Sequence, residues 1–330
     1  MKRLVCLLMV LCLFVFTSMA EAKKVFIKWG ATSVRSGLYA NTVAMASIVN
    51  KAYPGEIEAT VVETGGYLEN IVRIQKKSIQ MGPADAAAGY AAYEGIIDYK
   101  GKQIKDLRVL WGGYITPIHI VTTKKSGADT LAKINNLPFA SNPGTTSGRV
   151  IEMFFEANGI KPVYKLMGIG ASVDALKSGV ASGWYKAGFK DSAILDLESS
   201  MDINVIPVTK EQIENMNKKY PGQAKTMTIP AGLFKAVTKE QLSFAYVVTD
   251  FVHKDVPEDV VYKIVKAIYD NRASLVGSLA TLKEGKFDDM YGNAEKYIQV
   301  PLHPGAVKFY QEVLKVKVPD RLLPPEMKKK

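Results

Sequence analysis

Short runs rich in Val, Ile, Phe and Tyr alternate with helix-patterned stretches along almost the whole chain, and no Pro-, Gly- or Ser-rich linker interrupts them. Such alternation specifies an α/β protein with mainly parallel sheet and helices packed on its faces. Strands are expected at Val25–Trp29, Glu58–Glu63, Leu107–Trp111, Ile118–Thr122, Val163–Met167, Asn204–Val208 and Phe244–Thr249. Two helices are well marked. Thr146–Ala157 carries an apolar stripe of Val150, Ile151, Phe154 and Phe155 and closes at Asn158-Gly159. Pro257–Tyr269 repeats the spacing, with Asp255 and Glu258 in capping-box relation. At 330 residues the chain can build two cores. Two cores without a linker imply lobes joined by strands, with crossings near Thr122–Lys125 and Ala236–Phe244. One lobe then takes about residues 23–121 plus 239–330, and the other about 122–238.

The N-terminus is a separate unit. Lys2 and Arg3 precede an apolar run from Leu4 to Phe16, and Ala20-Glu21-Ala22 supplies a small-x-small cleavage pattern. Residues 1–22 therefore read as a secretory signal peptide cleaved after Ala22, too short in its apolar part to span a bilayer. Both cysteines, Cys6 and Cys12, fall inside it, so the mature chain has no disulfide, thiolate metal site or thiol nucleophile. Losing Lys2, Arg3 and Glu21 leaves 41 basic against 31 acidic groups, a net charge of +10. That balance suits an anionic partner. The lysines are dispersed and not interleaved with aromatics, so nucleic acid is not expected.

Four segments share a strand end, glycines with small hydroxyl residues, and then a helix start. They are Gly30-Ala31-Thr32-Ser33 leading to Gly37-Leu38-Tyr39, Thr64-Gly65-Gly66-Tyr67, Asn142-Pro143-Gly144-Thr145-Thr146-Ser147-Gly148, and Gly168-Ile169-Gly170-Ala171-Ser172. Helix starts present unpaired N–H groups and partial positive charge, so several converging on one hollow would hold a carboxylate without an arginine. One such loop alone means little, because every strand–turn–helix junction uses Gly and an N-cap. Enzyme signatures are lacking: the three histidines, His119, His253 and His303, have no metal-ligand spacing, and no nucleophile-elbow, zinc-protease or nucleotide-loop motif occurs. His119 is expected as a hydrogen-bonded core residue and His303 as a turn stabiliser. No cofactor or metal is implied.

The order of segments resembles the TAXI family of solute-binding receptors that serve tripartite ATP-independent periplasmic (TRAP) transporters. The resemblance runs from about residue 25 to 312. It is carried by Gly30-Ala31-Thr32, Glu63-Thr64-Gly65-Gly66 with Glu69-Asn70, Pro117–Val121, Asn142–Ser147, Ala175–Gly179, Ile229–Gly232 and Pro301–Ala306. It implies a two-lobe type II periplasmic binding fold closing on a small organic anion, delivery to a TRAP membrane permease, and no catalysis. Carried over residue by residue, Thr32, Tyr39, Gly65, Gly66, Asn70, Thr145, Thr146 and Ser147 line or shape the cleft; Ser33, Thr64, Tyr67, Asp85 and Gly144 are expected beside them, with Lys186 facing a second acidic group. The chain departs from the family pattern at Tyr67, at Pro83-Ala84 before Asp85, at Ser78 and Ser182, and across Trp184–Lys190. An aromatic at 67 and cations at 186 and 190 point to a bulkier or more anionic ligand. An ABC-type receptor for a sulfonate, nitrate or thiamine-precursor-like ligand, and a ligand-sensing module, share the same architecture.

Overall fold

The computed structural model describes residues 24–34, 38–142 and 144–328; the leader, Gly37 and Pro143 lie outside them. Among the described residues there are eleven strands: β1 (Val25–Gly30), β2 (Ile57–Val62), β3 (Met81–Asp85), β4 (Leu107–Val109), β5 (Tyr114–Thr123), β6 (Pro138–Ser141), β7 (Val163–Leu166), β8 (Gly183–Ala187), β9 (Ile203–Ile206), β10 (Lys225–Ile229) and β11 (Gln241–His253). The helices used below are α1 (Tyr39–Ala52), α2 (Tyr67–Gln75), α3 (Ala86–Glu94), α4 (Thr146–Ala157), α5 (Ile169–Ser178), α6 (Ser192–Ser200), α7 (Lys210–Lys219), α8 (Glu258–Asp270) and α9 (Pro304–Glu312).

The strands fall into two halves with the same order. In one, β2-β1-β3 run parallel and β11 joins antiparallel, with β4 on its far side. In the other, β7-β6-β8 run parallel and β5 joins antiparallel, with β9 on its far side. Each half thus receives its fourth strand from the chain that built the other. The two long strands pair antiparallel through Tyr114–Ile118 and Phe244–Val248, so the chain crosses between halves along β5 and β11. This is the two-lobe α/β type II periplasmic binding fold. The sheet is mixed rather than mainly parallel, because the crossing strands reverse direction in each lobe.

Four strands are invisible to propensity. β3 (Met-Gly-Pro-Ala-Asp) and β6 (Pro-Phe-Ala-Ser) contain residues that normally break strands, and β8 and β10 carry lysines. β3 is nevertheless buried along its length, between β1 and β11. Its ladder to β1 is a single pair, Trp29–Met81. Beyond that pair the Asn70 amide takes over: its Nδ2 donates to Ala31 O and Pro83 O, each at 2.8 Å. Gly30 permits this, since a Cβ there would stand 2.7 Å from Asn70 Oδ1.

The larger core gathers both faces of the first sheet and the crossing strands, including the stacked Phe154–Phe244 pair at 4.2 Å between ring centroids. A smaller one forms under α5 and α6 around Trp184, Leu176 and Phe234. Trp184 and Tyr185 are buried. α4 spans the predicted residues. α8 starts one residue later than expected and takes Pro257 as its N-cap with no side-chain bond, because the Asp255 carboxylate pairs instead with Lys77 at 2.6 Å. His119 is buried and bonds Gly188 O through Nε2 at 2.7 Å, while His303 caps α9 by accepting from Gly305 N at 3.2 Å.

Candidate functional site

Parallel strands place the loops after β1, β2 and β3 along one edge of the first sheet, and the loops after β6, β7 and β8 along one edge of the second. Carboxyl-terminal edges of this kind are where open α/β sheets bind ligands. In the first lobe the loops are knitted together. Thr64 Oγ1 donates to Ala31 O at 2.8 Å, and Glu63 Oε1 accepts from Val34 N at 3.0 Å. Tyr67 is buried, its hydroxyl 3.2 Å from that of Tyr114, which also bonds Asn41 Nδ2 at 3.3 Å. Tyr67 is therefore part of the wall beneath the loop edge. Thr32 and Asn70 are buried, Tyr39 is half-buried, and Ser33 is exposed. In the second lobe Asn142 is the organising residue. Its N–H donates to Tyr185 Oη at 2.8 Å, its carbonyl accepts from Thr145 Oγ1 at 2.9 Å, and its side chain meets Ser172 Oγ at 3.4 Å, joining the loops after β6 and β7. Gly148 lets α4 start against this wall, since a Cβ there would stand 2.4 Å from Asn142 O.

Four of the loop and helix-start donors are satisfied from within. Gly65 N donates to Glu69 Oε2 at 2.6 Å and Gly66 N to Thr64 Oγ1 at 3.3 Å. Ala87 N donates to Asp85 Oδ1 at 3.0 Å, and Gly148 N to Thr145 Oγ1 at 3.1 Å. Lys186 is half-buried and its ammonium lies 3.1 Å from Asp191 Oδ2, so its charge is already matched; Lys190 is exposed. Gly144 and Ser147 sit at the rim, whereas Thr146 is buried with its Oγ1 unpartnered among the described residues.

Arg149, in the first turns of α4, bonds groups of both lobes. It lines a cleft of about 700 Å³ whose wall includes Leu68, Asp98, Tyr99 and Lys100 from the first lobe and Gly144, Glu152, Glu156 and Lys219 from the second. Its Nε donates to Asp98 Oδ2 and its Nη1 to Gln223 Oε1 at 2.7 Å, with Asp85 Oδ2 3.9 Å away. Asp85 caps α3 and is wholly buried; desolvation, only partly offset by the Arg149 charge, raises its pKa to about 6. Glu156 and Lys219 neutralise one another at 2.7 Å. Arg149 is not among the residues expected in the cleft, although the sequence carries one signal for it. A cation near a helix start opposes the macrodipole and is held there only by nearby acids.

Among the described residues no group of three His, Cys, Asp or Glu side chains is placed to hold a metal ion, and no helix is long and apolar enough to cross a membrane. Residues 30–313, which include every loop described above, match the NMT1-like family. The chain belongs to that family. Solved structures similar to this NMT1-like protein include the probable amino-acid ABC transporter extracellular-binding protein YtmK from Bacillus subtilis, at 14% identity over 81% of this chain and 99% of that one, TM-score 0.47. Another is a TRAP periplasmic solute-binding protein from Desulfovibrio salexigens, at 12% identity over 89% and 82%, TM-score 0.44. A third is the alkanesulfonate-binding protein SsuA from Xanthomonas axonopodis pv. citri, bound to MOPS, at 15% identity over 92% and 98%, TM-score 0.44.

Proposed function

We propose that this protein is an exported solute-binding receptor that captures a small organic anion, a carboxylate or an amino-acid-like acid, between its two lobes and delivers it to a TRAP-type membrane permease. The lobes are about residues 23–121 with 239–330, and 122–238. The observation that carries the reading is the cleft itself, about 700 Å³ lined by Leu68, Asp98 and Tyr99 on one side and by Gly144, Arg149 and Glu152 on the other, with Arg149 bonded to groups from both sides. A hollow of that volume suits a small molecule. Of the site residues expected from the sequence, Gly144 lines this cleft; we assign Thr32, Ser33, Tyr39, Thr64, Gly65, Gly66, Tyr67, Asn70 and Asp85 to the ligand side of the first lobe, and Thr145, Thr146, Ser147 and Lys186 to that of the second. Binding that bridges the lobes favours the closed form by the difference in affinity for the two states, and closure offers the permease a distinct surface.

The test is a thermal-shift screen of the leaderless chain against amino acids, aromatic and aliphatic carboxylates and short sulfonates, followed by calorimetry. At least one acid is expected to stabilise the fold and to be recovered chemically unchanged. Binding of neutral sugars alone would refute the anion reading, and turnover of the ligand would refute the receptor reading. An ABC-type receptor for a sulfonate, nitrate or thiamine-precursor-like ligand is compatible with the same geometry. Reconstituted uptake driven by an ion gradient, as opposed to ATP, separates the two.

A further inference from the structure

We propose that Arg149 is the anion anchor of the cleft and that Asp98 is a built-in stand-in for the ligand's acid group, released into water when a carboxylate or sulfonate binds. The proposal rests on the receptor reading above and adds to it the anchoring residue and its internal competitor. Arg149 is 8% exposed, lines the cleft, and has an Nη2 with no hydrogen-bond partner among the described residues. Nε–H and Nη2–H form one edge of the guanidinium, the edge that takes a planar oxyanion with two parallel bonds. Asp98 bonds only the Nε half of it.

The partners of Arg149 differ in how easily they leave. Gln223 is neutral and buried, and it stays as the positioning contact on Nη1. Asp85, 1% exposed, is fixed by its cap bond to Ala87 N and cannot swing out. Asp98, in contrast, is 46% exposed and sits on the short 3-10 turn Ile97–Tyr99 of the opposite lobe. Returning a half-exposed carboxylate to water costs little, whereas leaving a buried guanidinium without an anion costs much. Exchange of Asp98 for a ligand acid is therefore the low-cost substitution. With the amides of Gly65, Gly66, Ala87 and Gly148 already bonded internally, Nη2 is a buried donor without a partner among the described residues, on the edge of the guanidinium that Asp98 uncovers when it leaves.

The experiment measures D98N, R149Q and R149K beside the unmodified protein, using L-glutamate, 3-hydroxybenzoate and ethanesulfonate in calorimetry and sulfate in thermal shift. For the tightest probe, D98N is expected to bind about three- to tenfold more strongly, because the competitor is gone. R149Q is expected to bind at least about tenfold more weakly, with R149K in between. The opposite signs at the two positions are what a merely structural ion pair would not give. D98N binding no tighter, or R149Q binding as the unmodified protein does, overturns the proposal while leaving the receptor reading in place. Failure of every probe, sulfate included, to bind either the unmodified protein or D98N overturns both. Should R149Q not fold, the D98N and R149K pair carries the same decision.

Discussion

Thr145 and Thr146 are adjacent and equivalent in the sequence, yet the fold assigns them different roles. The Thr145 hydroxyl caps α4, bonding Gly148 N and Asn142 O, so Thr145→Val should lower stability by about 1 kcal/mol, read as a shifted urea midpoint. The Thr146 hydroxyl is buried without a partner, so Thr146→Val should leave the midpoint unchanged or slightly raised. If that hydroxyl contacts ligand, the same change weakens binding by about tenfold in calorimetry. Which threonine caps depends on the chain reversal at Gly144, which puts one hydroxyl on the loop carbonyl and turns the other inward. Arg149 illustrates the same limit. Its type and position are legible, but its partners Asp98 and Gln223 are 51 and 74 residues away in the chain.

At the level of elements, helices with an apolar stripe and strands rich in β-branched residues were legible, because their burial pattern is written locally. α4 and β1 are examples. β3 was not, because Gly82 and Pro83 read as a turn; only its neighbours β1 and β11, with the Asn70 amide bridging the carbonyls that Pro83 cannot help pair, make it a strand. The loop after β6 tests how tightly an element start is packed. Gly148→Ala puts a methyl group 2.4 Å from the Asn142 carbonyl. The expected outcome is a loss of about 1–3 kcal/mol, seen as a lower melting temperature, together with weaker ligand binding because the α4 start and Arg149 shift as one piece.

For the whole molecule, buried ionisable groups set opposing slopes of stability against pH. Burial lowers His119 and His303 to about 4, so each contributes stability that is present above its unfolded pKa and lost as pH falls towards 4. Burial raises Asp250 to about 7, despite the 2.8 Å bond from Trp29 Nε1, and Asp85 to about 6. These carboxyls act the other way: their stability is full below the unfolded pKa and is lost as pH rises through the folded one. The slopes largely offset between pH 4 and 6.5. Asp250→Asn removes one descending slope, so its melting temperature relative to the unmodified protein should rise between pH 4.5 and 7.5, the stability difference growing by roughly 1.4 kcal/mol per pH unit at most. A flat difference across that range would show that Asp250 titrates normally in the folded protein.

The sequence by itself determined the α/β class, the glycine-flanked strand-to-helix junctions and the apolar faces, since each rests on residues within a few positions of one another. The sequence also pointed to two lobes joined by crossing strands; tertiary structure alone decided that β5 and β11 pair antiparallel and each complete the other half's sheet, that the loop amides are bonded from within, and that Arg149 meets Asp98 and Asp85. Those outcomes depend on which distant segments share a low-dielectric space, and neither pairing nor desolvation is encoded in any single stretch of chain.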